Sequence, residues 1–222
     1  MSAHPNLIGR MWYNAAYLTA HAFFTFGFSF RYTGRKNIPR EGPLLIVANH
    51  ESMFDPCLVG VASGRYLSYL ARDNLFTQPV LGWVIRNLNA IPIDRGMGKD
   101  GINAVLSALE KGWAVAIFPE GERTHTGEVE PLKPGISLLI KRVKCPIVPM
   151  GIAGSFAAWS RFMKWPRFSP IVLPPRPSTL ALSVGKPIDP NRFRDMNREA
   201  MLADLRQALV TQKADAEKLR RK

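Results

Sequence analysis

The sequence predicts an α/β fold in which a largely parallel central sheet is flanked by helices. From Arg40 onward, short apolar runs of strand length alternate with longer stretches of helical spacing. The length also suits one sizeable domain, because 222 residues, of which 46% are hydrophobic, can bury a proper core. Polar turns follow several of the apolar runs, which is where open α/β sheets present groups to ligands.

Each predicted strand is an apolar run bounded by Gly, Pro or polar residues, and these runs are Leu44–Ala48, Tyr66–Leu70, Ala90–Ile93, Ala114–Phe118, Pro146–Gly151 and Leu180–Val184. The predicted helices are Pro56–Ala62, Leu75–Asn87, Gly101–Lys111 and Gly135–Arg142. A helix between consecutive strands makes a crossover connection, so neighbouring strands are expected to run parallel.

The N-terminal segment Met11–Phe30 contains no charged residue, and as a helix it is about 30 Å long, enough to span a bilayer core. Polar side chains fall on one stripe of this helix, whereas Trp12, Phe23 and Phe26 gather on the opposite side. This pattern favours a helix half-sunk in a membrane interface. A helix packed on its own domain and a true membrane span are the alternatives.

The segment Trp159–Phe168 interleaves basic and aromatic side chains. Trp at a membrane interface and cations at lipid phosphates would suit a membrane-docking loop, which is the favoured interpretation. The same mixture of side chains can stack the bases of single-stranded nucleic acid. The third alternative is a surface loop whose aromatic side chains pack onto the core.

A C-terminal helix is predicted from Asn197 to Lys222, because its apolar residues keep three- and four-residue spacing. Its start is expected to pack on the domain, and its basic end is expected to fray into solvent. The predicted organisation is therefore a membrane-associating helix in residues 1–32, a central domain in 33–192 and a basic C-terminal helix in 193–222.

The composition is strongly basic, since Lys and Arg give the chain a formal net charge of +13. Such a balance favours polyanionic partners, namely nucleic acid, anionic lipid headgroups or phosphorylated substrates. The two cysteines and four histidines form no cluster at metal-ligand spacing, so no metal site is expected. No secretory signal stands out near the N-terminus.

A His and an Asp five residues apart follow the strand Leu44–Ala48, at His50 and Asp55. A His beside an Asp can take a proton from a hydroxyl group and hold the resulting charge. The pair also has a purely structural interpretation, in which Asp55 caps the helix that begins at Pro56 and His50 is an ordinary polar residue. The two roles of Asp55 are compatible, because a helix start is a rigid place from which to orient a His.

Three further turns at strand or helix ends carry groups suited to an anion. Arg95 follows one strand, Glu120, Gly121 and Arg123 follow another, and Lys133 precedes a helix start. Arg can bond two phosphate oxygens at once, and a Gly beside it lets the backbone approach closely. Each turn alone is typical of a segment that forms a surface salt bridge. Together with His50, the three turns indicate a base beside several cations.

These turns, in this order, resemble the glycerophosphate acyltransferase family, and within it the 1-acylglycerol-3-phosphate acyltransferases. The matching blocks are Asn49-His50-x4-Asp55, Ile93-Asp94-Arg95, Phe118-Pro119-Glu120-Gly121 with Arg123, Lys133-x-Gly135 and Ile147-Val148-Pro149-Met150-Gly151. The resemblance covers about residues 35–190. In two departures, Glu122 stands where the family usually has Thr, and Thr124 where it usually has Ser. Glu51 stands where Gln is common, at a position to which the sequence assigns no role.

The resemblance implies acyl transfer from acyl-CoA or acyl carrier protein to the sn-2 hydroxyl of 1-acyl-sn-glycerol-3-phosphate, which gives phosphatidic acid. It implies that His50 is the general base and that Asp55 orients its ring. Glu120, Gly121 and Arg123, helped by Arg95 and Lys133, would form the phosphate site, and Pro149 would border the acyl-donor pocket. No cofactor or metal is implied, and the expected location is the cytoplasmic face of an anionic membrane.

Two rival interpretations keep parts of this pattern. The acceptor could be glycerol-3-phosphate or another lysolipid. Alternatively, the chain could be a non-catalytic basic module that binds membranes or nucleic acid, which would explain its charge and the aromatic segment. That alternative does not explain why the turns that carry these charged residues occur in the order found in the family, so no nucleic-acid partner is expected.

Overall fold

The computed structural model describes residues 7–87, 89–93 and 98–222 of the chain. The strands are β1 Arg31–Thr33, β2 Leu44–Ala48, β3 Leu67–Arg72, β4 Ala90–Ile93, β5 Ala114–Ile117, β6 Ile147–Ala153 and β7 Ala181–Val184. The helices are α1 Leu7–Phe28, α2 Asp55–Ser63, α3 Asp73–Phe76, α4 Pro79–Asn87, α5 Lys99–Glu110, α6 Gly135–Arg142, α7 Ser155–Trp159 and α8 Arg198–Leu219. Short 3-10 turns lie at Arg35–Asn37 and Pro190–Phe193.

The seven strands form one sheet in the order β1-β7-β6-β2-β5-β3-β4. Every neighbouring pair is parallel except β6 and β7, which are antiparallel. This confirms the predicted α/β class with a largely parallel sheet. β2 lies between β6 and β5 and is buried along its whole length, as expected for a parallel strand covered on both faces. The carboxyl ends of β2, β5 and β6 therefore meet at one edge of the sheet.

The division of the chain into helices and strands differs from the sequence prediction in two respects. The single helix predicted for residues 75–87 is divided into α3 and α4, and α4 begins at Pro79. Proline disfavours a helical residue before it and lacks an amide hydrogen, so it starts a new helix more readily than it continues one. The short elements β1 and α7 were also not predicted, because each has at most five residues and too little periodicity to register.

The N-terminal helix α1 packs on the domain through one side. Phe24 and Phe28 are buried and contact Phe54 with ring centroids 5.2 and 5.0 Å apart. The Tyr13 hydroxyl donates to the carbonyl oxygen of Arg65 at 2.8 Å, which ties the first half of the helix to the domain. The other side remains apolar and exposed. Within the described residues, we find no helix with both the length and the apolar content for crossing a membrane.

The C-terminal helix α8 lies directly on β6. A Cβ atom at Gly151 would fall 2.0 Å from the backbone of Gln212, so only glycine permits this approach. The prediction that the basic end of the helix frays was wrong. The Arg220 Nε donates to the carbonyl oxygen of Thr179 at 3.0 Å, and Arg221 donates to that of Ile171 at 2.7 Å. These carbonyls have no strand partner, so the guanidinium groups satisfy them and hold the tail in place.

Candidate active site

The His50 and Asp55 side chains meet just beyond the carboxyl end of β2. His50 Nδ1 lies 2.8 Å from Asp55 Oδ2, and the Asp55 side chain is fully buried. The same Oδ2 accepts the amides of Glu51 and Ser52 at 2.6 and 2.7 Å, and Oδ1 accepts the Ser155 hydroxyl at 2.7 Å. These neighbours can all donate a hydrogen, so the site is built for a carboxylate.

The sequence-based prediction that Asp55 is the N-cap of α2 was wrong. Asp55 is the first residue of the helix, and its carboxylate accepts the amides of the turn before it. Glu51 and Ser52, which supply these amides, lie between His50 and the helix start. The carboxylate therefore fixes the loop that carries His50.

The His50 ring is held from two sides. It stacks on Phe118, the residue after β5, with ring centroids 4.2 Å apart and planes 21° apart. Its Nδ1 faces Asp55, so in the neutral ring Nδ1 carries the hydrogen and Nε2 is the proton acceptor. The side chain is 18% exposed, which leaves a route for a substrate hydroxyl. This is the geometry of a general base.

Glu120 fixes the backbone of His50. Its Oε1 accepts the His50 amide at 2.7 Å, and its Oε2 accepts the Glu130 amide at 2.8 Å. The His50 carbonyl oxygen in turn accepts the Thr124 amide at 2.8 Å. Burial raises the pKa of Glu120 to about 7, against the opposing effect of the two amides. The Glu120 carboxyl group therefore joins the loop after β5 to the loop after β2.

Cations surround the turn that follows Glu120. Gly121 has φ of 77°, and a Cβ atom there would lie 3.0 Å from the Lys133 side chain, so glycine lets the lysine stem cross the turn. Arg161 donates to Glu122 at 3.1 Å and to the carbonyl oxygen of Arg123 at 3.0 Å. Lys133 Nζ lies 3.9 Å from the Glu122 carboxylate. The hydrogen bond from Arg161 lowers the pKa of Glu122, which favours its charged form.

The guanidinium group of Arg123 is half-buried. Burial and the charge of Arg161 lower the pKa of Arg123, and the charge of Asp55 raises it. Arg123 thus lies within electrostatic range of the His50–Asp55 pair. Among the described residues, no hydrogen bond or ion pair of its guanidinium group is found, so its donors remain open to an anion.

Two predicted site residues are not placed with this group. Arg95 and the adjoining Asp94 lie outside the described residues. Pro149 lies in the interior of β6 and is paired in register with Val47. Its ring packs against Gly185, where an added Cβ atom would lie 2.9 Å from the ring. It therefore lies in the core of the sheet rather than at the edge that carries His50.

The structure brings in three residues that the sequence did not assign to the site. Glu51 is buried beside Asp55, and Ser155, two residues beyond β6, donates its hydroxyl to Asp55. Lys213 of α8 reaches Glu51 from the far end of the chain. The position of Ser155 just after a strand end was a usable signal, whereas nothing local marks Lys213 or Glu51. The described residues contain no group of His, Cys, Asp or Glu side chains suited to a metal ion.

The fold and the site together define an α/β protein with a His–Asp pair beside cations at the carboxyl edge of its sheet, an arrangement suited to activating a hydroxyl group. The acyltransferase family model matches residues 29–153, which is more than half of the chain. The protein belongs to the acyltransferase family and is an acyltransferase. The matched region spans β1 through β6 and includes both His50 and Asp55.

Characterised relatives agree with this assignment. The chain is 27% identical over 177 residues to the 1-acyl-sn-glycerol-3-phosphate acyltransferase of Bacillus subtilis, covering 79% of this chain and 81% of that protein. It is 28% identical over 160 residues to the enzyme of the same name from Saccharomyces cerevisiae, covering 67% of this chain but only 52% of that protein. The crystal structure of the 1-acyl-sn-glycerophosphate acyltransferase from Thermotoga maritima shares the fold, with a TM-score of 0.73, 21% identity and coverage of 93% of this chain and 79% of that one.

Proposed function

We propose that the protein transfers an acyl chain from acyl-CoA or acyl carrier protein to the sn-2 hydroxyl of 1-acyl-sn-glycerol-3-phosphate, which gives phosphatidic acid. The His50–Asp55 pair, set beside Arg123, is the observation that carries this proposal. The names of the Bacillus and yeast relatives support the choice of acceptor. Acyl-CoA and acyl carrier protein are co-substrates, and the proposed reaction uses no cofactor or metal.

In the proposed mechanism, the acceptor hydroxyl gives its proton to Nε2 of His50 as its oxygen attacks the thioester carbonyl. The Asp55 carboxylate, 2.8 Å from Nδ1, stabilises the imidazolium that forms. The tetrahedral intermediate then breaks its carbon–sulfur bond, and the departing thiolate takes the proton from His50. Among the described residues, no Ser or Cys side chain is hydrogen-bonded to the His50 ring, and this favours direct attack by the acceptor over an acyl-enzyme.

The proposed phosphate site centres on Arg123, with Gly121 in the same turn and the stem of Lys133 lying against Gly121. We propose that Arg95 also contributes to this phosphate site. Glu120 contributes by holding this turn against His50, because its oxygens already accept two amides. The charge of Glu122 is opposed by Arg161 and Lys133, so the departure from the Thr usual in the family leaves the turn cationic.

An acceptor panel tests the proposed reaction. The purified protein is incubated in detergent or vesicles with acyl-CoA and, in parallel, with 1-acylglycerol-3-phosphate, glycerol-3-phosphate or a lysolipid without phosphate. We expect thiol release that depends on 1-acylglycerol-3-phosphate, with phosphatidic acid as the product identified by mass spectrometry. Faster release with another acceptor would overturn the assigned substrate. If no acceptor supports release, acyl carrier protein is tested as the donor before the reaction is rejected.

We further propose that the active site works at an anionic membrane surface on the cytoplasmic side. Phe168 stacks on the buried Phe28 of α1 and meets the exposed Phe23 edge-on, with ring centroids 4.9 and 6.1 Å apart, so the aromatic segment adjoins the exposed side of the N-terminal helix. Large apolar side chains remain exposed on α1, on the aromatic segment and on the residues that follow it, namely Trp12, Phe26, Phe162, Trp165, Phe168, Ile171, Val172 and Leu173. Arg161, Lys164 and Arg167 interleave with them, which suits a lipid interface. Trp159 instead packs on Phe54, so part of the segment does pack onto the core.

We expect the protein to sediment with anionic vesicles and to be partly released by high salt, because cations and buried apolar area both contribute to binding. Exchange of Phe162 and Trp165 for Ser should reduce the bound fraction, since these side chains are 68% and 73% exposed. Leu138→Ser is the matched control, because Leu138 is 57% exposed on α6. Equal loss in both variants, or no binding by the unaltered protein, would contradict the proposed surface.

A further inference from the structure

Among the described residues, Glu51 is the most deeply buried acidic side chain that the proposed mechanism does not use. It is 2% exposed, and its two oxygens have different surroundings. Oε1 faces the Asn49 amide nitrogen at 3.3 Å and the Lys213 ammonium at 3.5 Å, both of which can only donate. Oε2 accepts the Phe156 amide at 3.0 Å and lies 3.3 Å from the Ser155 hydroxyl oxygen. A proton on Glu51 therefore belongs on Oε2, where Ser155 can accept it.

Ser155 stands between two carboxyl groups. Its Oγ lies 2.7 Å from Asp55 Oδ1 and 3.3 Å from Glu51 Oε2, and a hydroxyl has only one hydrogen to donate. When Glu51 is protonated, it donates to Ser155, and Ser155 donates to Asp55. When Glu51 is ionised, the two carboxylates compete for one hydrogen, and Asp55 loses part of its hold on Ser155. Two like charges this close in a buried site also repel each other.

Lys213 connects this chain of groups to the C-terminal helix. Its ammonium lies 3.5 Å from Glu51 and 3.2 Å from the exposed carboxylate of Glu128, and it donates to the carbonyl oxygen of Gly127. The side chain is 18% exposed, so its charge acts on Glu51 with little screening by solvent. The backbone contact of α8 with Gly151 holds this part of the helix in place.

We propose that Glu51 is a positioning residue that acts through Ser155 on Asp55, holding the His–Asp pair in its active arrangement when protonated and loosening it when ionised, with Lys213 setting the pH of that change. The inference rests on the proposed role of His50 as the general base. The inference also distinguishes Glu51 from the Gln that is common at this position in the family. Gln can replace the protonated form of Glu51, but it cannot ionise and so cannot respond to pH.

The electrostatic surroundings place this change near neutral pH. Burial raises the pKa of Glu51 to about 8, Lys213 opposes that rise, and Asp55 adds to it. Asp55 also interacts electrostatically with Cys57 of α2, with Arg123 and with Glu120, which in turn feels its neighbour Glu130. Glu128 lies beside Lys213. Glu120 also titrates in this range, so variants at Glu51 and Lys213 are needed to assign the ionisation.

The test compares kcat/KM across about pH 6 to 9.5 for the full chain, each profile being scaled to its own maximum. In the unaltered protein, we expect a fall of about threefold or more with a midpoint near pH 8. Glu51→Gln should lack this fall. Lys213→Met should move the midpoint up by at least about 0.5 pH unit, because the ammonium no longer favours the carboxylate. Lys218→Met, on the same helix and 77% exposed, is the matched control and should leave the midpoint in place.

A second readout does not depend on acyl transfer. The His50 ring signals are followed by NMR over the same pH range in inactive conditions without substrate. We expect an inflection near pH 8 that is absent in Glu51→Gln. If the protein catalyses no acyl transfer, the proposed function fails while this readout still tests the coupling.

Three outcomes would overturn the inference. The first is an alkaline fall in Glu51→Gln that matches the unaltered protein, which would assign it to another group such as Glu120. The second is a midpoint in Lys213→Met equal to that of the control. The third is an inflection in the His50 signals with no change in kcat/KM, which would make Glu51 titratable but irrelevant to the reaction. If Lys213→Met does not fold, the comparison with Glu51→Gln alone still decides the first and third outcomes.

Discussion

The substitution His50→Ala should lower turnover by at least about 10²-fold, because general-base catalysis typically contributes that much. The ring receives the proton of the attacking hydroxyl, and alanine offers no acceptor in its place. Asp55 keeps its three other donors, namely the amides of Glu51 and Ser52 and the Ser155 hydroxyl, so the loop should remain folded. The measurement is steady-state turnover, with circular dichroism and thermal unfolding to verify the fold.

The matched control for this substitution is His21→Ala. His21 lies on α1 and stacks on Tyr17 with ring centroids 6.0 Å apart, on an element separate from the His50 loop. It should retain turnover close to that of the unaltered protein. A folded His50→Ala protein with near-normal turnover would show that another group takes the proton, and the assignment of the general base would then be abandoned.

The substitution Arg123→Ala should raise the acceptor KM by about 10- to 100-fold, since a hydrogen bond to a charged group contributes about 1.5–3 kcal/mol. Its guanidinium group is within electrostatic range of Asp55 and has no hydrogen-bond or ion-pair partner among the described residues, so we expect it to bind a phosphate near His50. The KM for the acyl donor should change little. Arg123→Lys should recover only part of the loss, because a single ammonium group cannot bond two phosphate oxygens as a guanidinium fork does.

Arg142→Ala is the control for general loss of positive charge. Arg142 lies at the end of α6 and donates to Asn103 of α5, away from the strand ends that carry His50. An unchanged acceptor KM in Arg123→Ala would refute the proposed phosphate site. A rise of equal size in Arg142→Ala would instead indicate a diffuse electrostatic effect on the lipid substrate.

The sequence predicted the strands of the sheet well because their signal is local. β2 and β4 were predicted with the observed bounds, since buried strands of a parallel sheet are short apolar runs with clear breaks. The prediction of one continuous helix over residues 75–87 was wrong. The helical spacing of apolar residues continues across Pro79, but the helical backbone is interrupted there. β1 escaped prediction because three residues held by pairing with β7 leave no periodic pattern.

The candidate site was predicted for the same local reason. His50 and Asp55 lie in one loop, and a strand end followed by polar residues is visible in the sequence. The role of Glu120 in holding the His50 backbone was not visible in the sequence, because its two partners are backbone amides in other segments. Glu51 looked like an ordinary variable position until the fold buried it against Lys213.

The sequence by itself determined the α/β class and the placement of chemical groups at strand ends. Both follow from interactions between residues close in the chain, such as hydrophobic periodicity and turn formation. Only the tertiary structure decided which carboxyl groups are buried, which donors they meet and how Lys213 of α8 reaches Glu51 beside the His–Asp pair. Burial and long-range charge depend on segments brought together by packing, and a pattern read along the chain does not contain those distances.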